Sequence, residues 1–252
     1  METTQHTTNV EPKGPLTIGK IISDTSKLVQ EFSREIIIIT AIVYIPLNII
    51  GEFILANLSG ESSLEYFRVS SKMWTTLEMF IGIIAIMAVI VMLHNFLDKK
   101  EKMEWQDALR KSVSLWPKAF TTQIIHGILL TFLFILLIVP GIIYLVYWAF
   151  IIPIIVVLGK KNMDALEHSK KLVKGDWWKV LGWFIVLGVL TIVLGIVINI
   201  PLWFLPEHIV IDILGDTLFD LSFMFLTIGS FLIFRNLNET KGAKDVLDEP
   251  GK

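Results

Sequence analysis

Long apolar segments alternate with short polar stretches along this chain. The six segments cover approximately residues 35–58, 75–97, 119–139, 142–158, 179–200 and 213–234. A transmembrane helix needs about 17–25 predominantly apolar residues, and each segment falls in this range. The pattern therefore predicts an all-α integral membrane protein with six transmembrane helices.

Three of the polar stretches have apolar residues at helical spacing. They are residues 17–32, 103–116 and 162–174, which precede the first, third and fifth apolar segments. Each places its apolar residues on one face of a helix. In the last stretch this face comprises Ala165, Leu166, Ser169, Leu172 and Val173. Such helices are typical of the bilayer surface, so we expect three transmembrane hairpins, each preceded by a cytoplasmic interfacial helix.

Prolines and glycines predict where several helices end. Proline lacks a backbone N–H and glycine accepts positive φ. We therefore expect Pro117 to end the second amphipathic helix, and Pro140-Gly141 to form the turn between the third and fourth apolar segments.

Residues 1–14 are polar and without periodicity, which predicts a disordered cytoplasmic tail. The membrane domain then covers residues 15–237, and a second cytoplasmic tail covers residues 238–252.

Composition supports a membrane protein and argues against several functions. Charged residues make up only 18% of the chain, against about 25% in soluble domains. The chain has no cysteine, which excludes disulfides and cysteine nucleophiles. It has no nucleophile elbow, phosphate-binding loop or zinc-binding helix. We therefore expect no enzymatic activity, no cofactor, no bound metal and no nucleic-acid partner.

The distribution of basic residues predicts the orientation in the membrane. Of the 22 Lys and Arg residues, only Arg68 and Lys72 fall in the connections after the first, third and fifth apolar segments. Cytoplasmic loops carry the excess of Lys and Arg. The protein is therefore expected in the plasma (inner) membrane with both termini in the cytoplasm.

Five lysines around the third amphipathic helix are candidates for contact with anionic lipid headgroups. They are Lys160, Lys161, Lys170, Lys171 and Lys174. Each basic side chain near an anionic leaflet contributes about 1 kcal/mol to membrane attraction. The alternative is that they only set the orientation and extend to the headgroup level, as lysines do in many membrane proteins.

Ionisable residues in the apolar segments are candidates for a polar pathway. The set is Glu52, Glu78, His126, Asp212, Asp216 and Asp220. The three aspartates are four residues apart, so a helix would align them on one face. Carboxylates in a bilayer usually line a pathway or a water-filled cavity. The alternative places the acidic residues at headgroup level, with the sixth segment beginning after Asp216.

Small and polar residues elsewhere in the apolar segments predict helix contacts. Gly188, Thr191 and Gly195 share one face of the fifth segment, where they would allow close packing with another helix. Asn48 and Asn199 could bind a polar substrate, or simply hydrogen-bond between helices. Most tryptophans fall near segment ends, as in an aromatic belt, but Trp148 does not.

Two motifs occur in order between residues 137 and 181. The first is Pro140-Gly141-Ile142-Ile143-Tyr144-Leu145, and the second begins at Ala165-Leu166 and ends at Trp177-Trp178-Lys179-Val180. They resemble the glycerophosphoryl diester phosphodiesterase membrane-domain family and related six-span prokaryotic membrane proteins. The resemblance implies a six-helix membrane module. It covers none of the catalytic domain that some members carry, and it assigns no functional residues.

These observations lead to two functional hypotheses. The first is a non-enzymatic multi-pass membrane protein that acts through membrane lipids or a partner protein, such as a transporter or another membrane protein. The alternative is a small transporter or permeation pathway, for example for export of, or tolerance to, a membrane-active peptide.

Overall fold

The chain is helical over nearly all of the part that the structure describes. The structure is a computed structural model that describes residues 16–58, 78–206 and 208–248. No strand occurs among these residues. The side chains of residues 54–58, 78–79 and 242–248 are not described. The expected tail at residues 1–14 and the expected start of the second apolar segment at residue 75 lie outside the described residues.

Nine α-helices occur in the described ranges. Their bounds are α1 Ile18–Glu31, α2 Ser33–Leu58, α3 Ile83–His94, α4 Trp105–Leu136, α5 Ile138–Tyr147, α6 Ile151–Leu158, α7 Asn162–Val173, α8 Trp177–Asn199 and α9 Ile209–Asp248. Two π-helical turns, Glu78–Gly82 and Asn95–Lys99, flank α3, and a 3-10 turn, Ile200–Phe204, follows α8.

Six helical segments are long and apolar enough to cross a membrane. They are Ser33–Phe53, Phe80–Lys99, Trp105–Leu136, Ile138–Leu158, Trp177–Phe204 and Ile209–Lys241. The prediction of an all-helical chain with six such segments is confirmed in this respect. Some bounds differ from those expected, and the differences have local causes.

Helix α3 forms the centre of the bundle. Its residues from Met87 to Leu93 are all buried, and it packs against α2, α4, α6 and α9. A helix that is apolar on every side belongs in a protein core or in a membrane, and α3 lies in the core. Helix α8 lies at the outside, where it packs mainly on α9 and leaves apolar side chains such as Ile185 and Val189 exposed.

Helix α4 continues through Pro117, so the prediction that this residue ends a helix was wrong. The expected surface helix and the third apolar segment form one helix, Trp105–Leu136. A proline inside a helix removes one hydrogen bond. Here buried Ser112 before it and buried Ala119 after it anchor both flanks to the bundle, and Pro117 itself is exposed.

The turn between α4 and α5 lies at Leu137, three residues before the position predicted from Pro140-Gly141. Leu137 is extended, with φ −158° and ψ 128°. Pro140 lies in the first turn of α5, where a helix does not need the missing N–H. Gly141 allows α5 to approach α4 closely, because a Cβ atom at this position would lie 2.5 Å from the Phe134 ring.

The fourth apolar segment is not one helix but two, broken at residues 148–150. Pro153 cannot donate a hydrogen bond to the carbonyl of Ala149, and its ring disfavours a continuous helix there. Ser169 of α7 completes the break. Its hydroxyl donates to the Tyr147 carbonyl at 2.7 Å and accepts from the Phe150 N–H at 3.2 Å.

The buried residues of α7 pack against the other helices of the bundle. They are Ala165, Leu166, Ser169, Leu172 and Val173, the same five that the sequence places on one face. The helix packs against α4, α5, α6 and α9. Its apolar face is thus used for contacts within the bundle.

Helix α9 begins at Ile209 and remains helical to Asp248, through much of the stretch expected to be a tail from residue 238. Within this extension, the Lys241 ammonium donates to the carbonyls of Leu172 at 2.6 Å and Lys174 at 2.8 Å. It also pairs with the Asp176 carboxylate at 3.1 Å. A cation at the end of α7 is favourable, because the last carbonyls of a helix lack partners and carry partial negative charge.

We expect Asp176→Asn to lower stability near neutral pH and to lose that effect in acid. Burial opposes ionisation of Asp176, but the hydrogen bonds and charges of Lys179 and Lys241 outweigh it and hold the pKa of this carboxyl below its usual range. A lowered folded-state pKa stabilises the protein above the unfolded value of about 3.9, and the stabilisation disappears as pH falls through the folded value.

The measurement is the melting temperature of parent and variant across pH. Their difference should be present at pH 7 and shrink below about pH 4. It should be small, because the carboxylate is 24% exposed and solvent screens the pair. A difference that stays constant down to pH 2 would contradict the assignment.

Candidate functional site

An open cavity of about 600 Å³ lies among α2, α8, α9 and the 3-10 turn. Its polar lining consists of Glu52, Asn199, Asp212 and Asp216. Its apolar walls are formed by Ile196, Leu202, Trp203, Leu205, Ile211 and Phe219. The cavity is therefore both acidic and partly apolar.

Helix geometry brings the three carboxylates to this cavity. Asp212 and Asp216 are one turn apart on α9, and Glu52 lies near the described end of α2, which packs against α9. Asp212 and Asp216 are exposed, whereas Glu52 is half-buried. The charges of Asp216 and Asp212 act repulsively on Glu52. The three groups together form a region of negative potential.

A buried polar cluster lies next to the cavity on the same two helices. The Asn48 amide donates to Thr217 Oγ1 at 2.9 Å and to Asp220 Oδ2 at 3.2 Å. Asn48 is fully buried, and Thr217 and Asp220 are 9% and 7% exposed. Two members lie about one turn from a cavity carboxylate, because Asn48 precedes Glu52 by four residues and Asp220 follows Asp216 by four.

Close packing of α8 on α9 shapes the wall of the cavity. A Cβ atom at Gly195 would lie 2.7 Å from the Phe219 ring and 2.9 Å from Ser222 Oγ. The neighbouring Asn199 amide donates to the Gly195 carbonyl at 2.9 Å. Gly195 thus belongs to this contact, and Thr191, one turn before it, is buried. Gly188 does not, because a Cβ atom there would have nothing within 4 Å.

One member of the predicted polar pathway, His126, does not join these carboxylates in the structure. His126 lies on α4, 3.3 Å through Nδ1 from Gln123 Oε1 and edge-on to the Trp148 ring at 5.6 Å. This contact also accounts for Trp148, which is 8% exposed and packs inside the protein. Glu78 begins the π-helical turn before α3, and its side chain lies outside the described residues.

Three of the five candidate lysines contact protein groups in the structure. Lys160 contacts His168 Nδ1 at 2.9 Å, and Lys171 pairs with Glu167 at 3.2 Å. Lys170 donates to the Tyr144 hydroxyl at 3.1 Å and lies over its ring. Lys161 and Lys174 are exposed beside them. Several of these ammonium groups are therefore already engaged by the protein.

Sequence patterns did not identify every residue of the site. Thr217, Trp203 and Phe219 were not predicted, although Thr217 directly follows Asp216. Trp203 on the 3-10 turn and Phe219 on α9 line the same cavity, although they lie on different elements. This turn follows Asn199 and contains Pro201, the one local signal for it.

The arrangement is suited to a cation that is larger than a metal ion. Within the described ranges, no group of three or more His, Asp or Glu side chains is placed to hold a metal. The cavity carboxylates can instead attract a positive charge over a distance, and the adjacent rings can contact it.

A family model matches residues 36–234 of the chain, and its description is domain of unknown function DUF7847. No curated protein and no solved structure matches the chain. The resemblance of residues 137–181 to the phosphodiesterase membrane domain remains a prediction.

Proposed function

We propose, for a chain that belongs to the DUF7847 family of domains of unknown function, that it is a non-enzymatic multi-pass membrane protein that binds an organic cation. The acidic cavity between α2, α8 and α9 is the binding site. The observation that carries this proposal is the arrangement of Glu52, Asp212 and Asp216 around one cavity of about 600 Å³.

The size and walls of the cavity support this class of ligand. Small-molecule sites usually measure about 300–1,000 Å³ and combine apolar walls with a few polar groups. Trp203 and Phe219 line the cavity, and a cation over the face of an aromatic ring gains about 0.5–2 kcal/mol. A lipophilic organic cation or the side chain of a cationic peptide matches both features.

This proposal favours the transport or tolerance hypothesis over lipid recognition by the cytoplasmic lysines. Lys160, Lys170 and Lys171 already contact protein groups. These contacts argue against the hypothesis that the three lysines bind lipid headgroups. The proposal also retains the plasma membrane, three helix hairpins, interfacial α1 and α7, and cytoplasmic termini. With that orientation the cavity opens on the side opposite the cytoplasm.

We expect tetraphenylphosphonium to bind the purified protein in detergent and tetraphenylborate not to bind. The two ions have similar shape and opposite charge, so the pair separates electrostatic selection from apolar adsorption. The variant Glu52→Gln, Asp212→Asn, Asp216→Asn should weaken tetraphenylphosphonium binding at least about tenfold, which corresponds to about 1.4 kcal/mol. Isothermal titration calorimetry measures both affinities.

A matched variant controls for net charge. Glu101→Gln, Asp107→Asn and Asp164→Asn remove three exposed carboxylates that do not line the cavity. This variant should bind tetraphenylphosphonium like the parent protein. The proposal fails if both triple variants bind equally well, or if the parent prefers tetraphenylborate.

A further inference from the structure

The cluster of Asn48, Thr217 and Asp220 has a chemistry that the organic-cation site does not use. Asp220 is a carboxylate buried in the part of α9 that is apolar enough to cross a membrane. Burial of an ionised carboxylate is costly unless a positive charge and hydrogen bonds compensate it. In membrane segments such residues usually belong to ion or proton sites.

The second observation is a buried atom without a partner. Asn48 is fully buried, and its Oδ1 accepts no hydrogen bond within the part of the chain that the structure describes. A buried acceptor left in this state costs about 1–3 kcal/mol. It lies on the same amide group whose nitrogen contacts both Thr217 and Asp220. A cation in the cluster would give this oxygen a partner once the amide turns to present it.

We propose that Asn48, Thr217 and Asp220 form a site for one small monovalent cation, a proton or a sodium ion. The shared chemistry is neutralisation of the Asp220 carboxylate. A proton would form an O–H bond on Asp220 and leave its donor, Asp216 or cavity water, to be reprotonated from solvent. A sodium ion would take oxygen atoms of Asp220, Thr217 and Asn48, with the Asn48 amide turned to present Oδ1.

The surroundings of Asp220 contain few other titratable groups. On α2 they are Glu52 and Tyr44, whose hydroxyl donates to the Gly82 carbonyl at 3.4 Å. On α9 the nearest along the helix is Asp216. Residues 83–93 of α3 and 180–199 of α8 contain no titratable side chain. The charged groups of α1 and of the segment after α7 meet α9 far along it, around Arg235 and Lys241.

The cavity supplies an entry route. Asp216 lies one turn from Asp220 on α9, and Glu52 lies one turn from Asn48 on α2. Both carboxylates line the open cavity, so they concentrate cations next to the cluster. Only this entry route rests on the proposed function, because the site itself consists of other residues.

Thermal unfolding of the purified full chain in detergent tests the site. In one arm, Na⁺ replaces K⁺ at constant ionic strength and pH. In the other arm, pH varies in K⁺ alone. We expect a rise in melting temperature with Na⁺, or a pH dependence without it, that Asp220→Asn removes. Asp164→Asn, an exposed aspartate on α7, is the control and should respond like the parent.

A second variant separates the two ions and guards against misfolding of the first. Thr217→Val keeps the size of the side chain and removes one oxygen atom. It should shift the Na⁺ response to higher concentration if the ion is sodium, and leave the pH response in place if it is a proton. Equal Na⁺ and pH responses in parent and Asp220→Asn would overturn the site.

Tetraphenylphosphonium titration of the same samples distinguishes the two proposals. Binding of this ion without any Asp220-dependent response overturns the small-cation site alone. An Asp220-dependent response without tetraphenylphosphonium binding supports the small-cation site and counts against the proposed function.

Discussion

We expect replacement of Ser169 by alanine to destabilise the protein, although the substitution removes only one oxygen atom. The hydroxyl joins α7 to the break between α5 and α6, where it contacts the Tyr147 carbonyl and the Phe150 N–H. Both Ser169 and Phe150 are fully buried. Without the hydroxyl, the Phe150 N–H has no acceptor, and a buried donor in this state costs about 1–3 kcal/mol.

Reversible unfolding of parent and Ser169→Ala in detergent micelles measures this cost. Ser114→Ala is the matched control, because Ser114 is exposed and donates only to the Lys111 carbonyl of its own helix. It should change stability by less than about 0.5 kcal/mol. Equal stabilities of the two variants would show that Ser169 does not support the break.

Substitution of Gly195 by alanine should separate α8 from α9. The new Cβ atom would lie 2.7 Å from the Phe219 ring, closer than van der Waals contact allows. Overpacking of this kind costs about 1–3 kcal/mol. Because Phe219 and Asp216 both line the cavity, the variant should also weaken tetraphenylphosphonium binding.

The chain offers a control for this variant on the same helix face. Gly188 lies two turns before Gly195, and a Cβ atom there meets nothing within 4 Å. Gly188→Ala should be neutral or stabilising by up to about 1 kcal/mol, since alanine favours a helix more than glycine does. Unfolding measurements that rank the two variants in the opposite order would contradict the packing described for α8 and α9.

The sequence predicted those features that depend on periodicity along one element. The five buried residues of α7 follow from helical spacing alone. So does the alignment of Asp212, Asp216 and Asp220 on α9. Glu52 was expected in the same polar pathway as these aspartates, but the packing of α2 against α9 that brings it to two of them could not be predicted from either segment.

Prolines were the least reliable guides, because their effect depends on what surrounds them. Pro117 lies inside α4, and Pro140 lies inside the first turn of α5. Pro153 was not predicted to interrupt a helix, yet it lies just after the break that follows Tyr147. At this break, Ser169, a residue of another helix, supplies two hydrogen bonds.

The break between α5 and α6 also bears on the order in which the chain is synthesised. Phe150 precedes Ser169 by 19 residues, so the broken segment is synthesised before the serine whose hydroxyl hydrogen-bonds to it. Until α7 docks, the Phe150 N–H must find water or another temporary partner, because hydrocarbon offers none. The fourth apolar segment therefore reaches its final form only after the chain beyond it has been made.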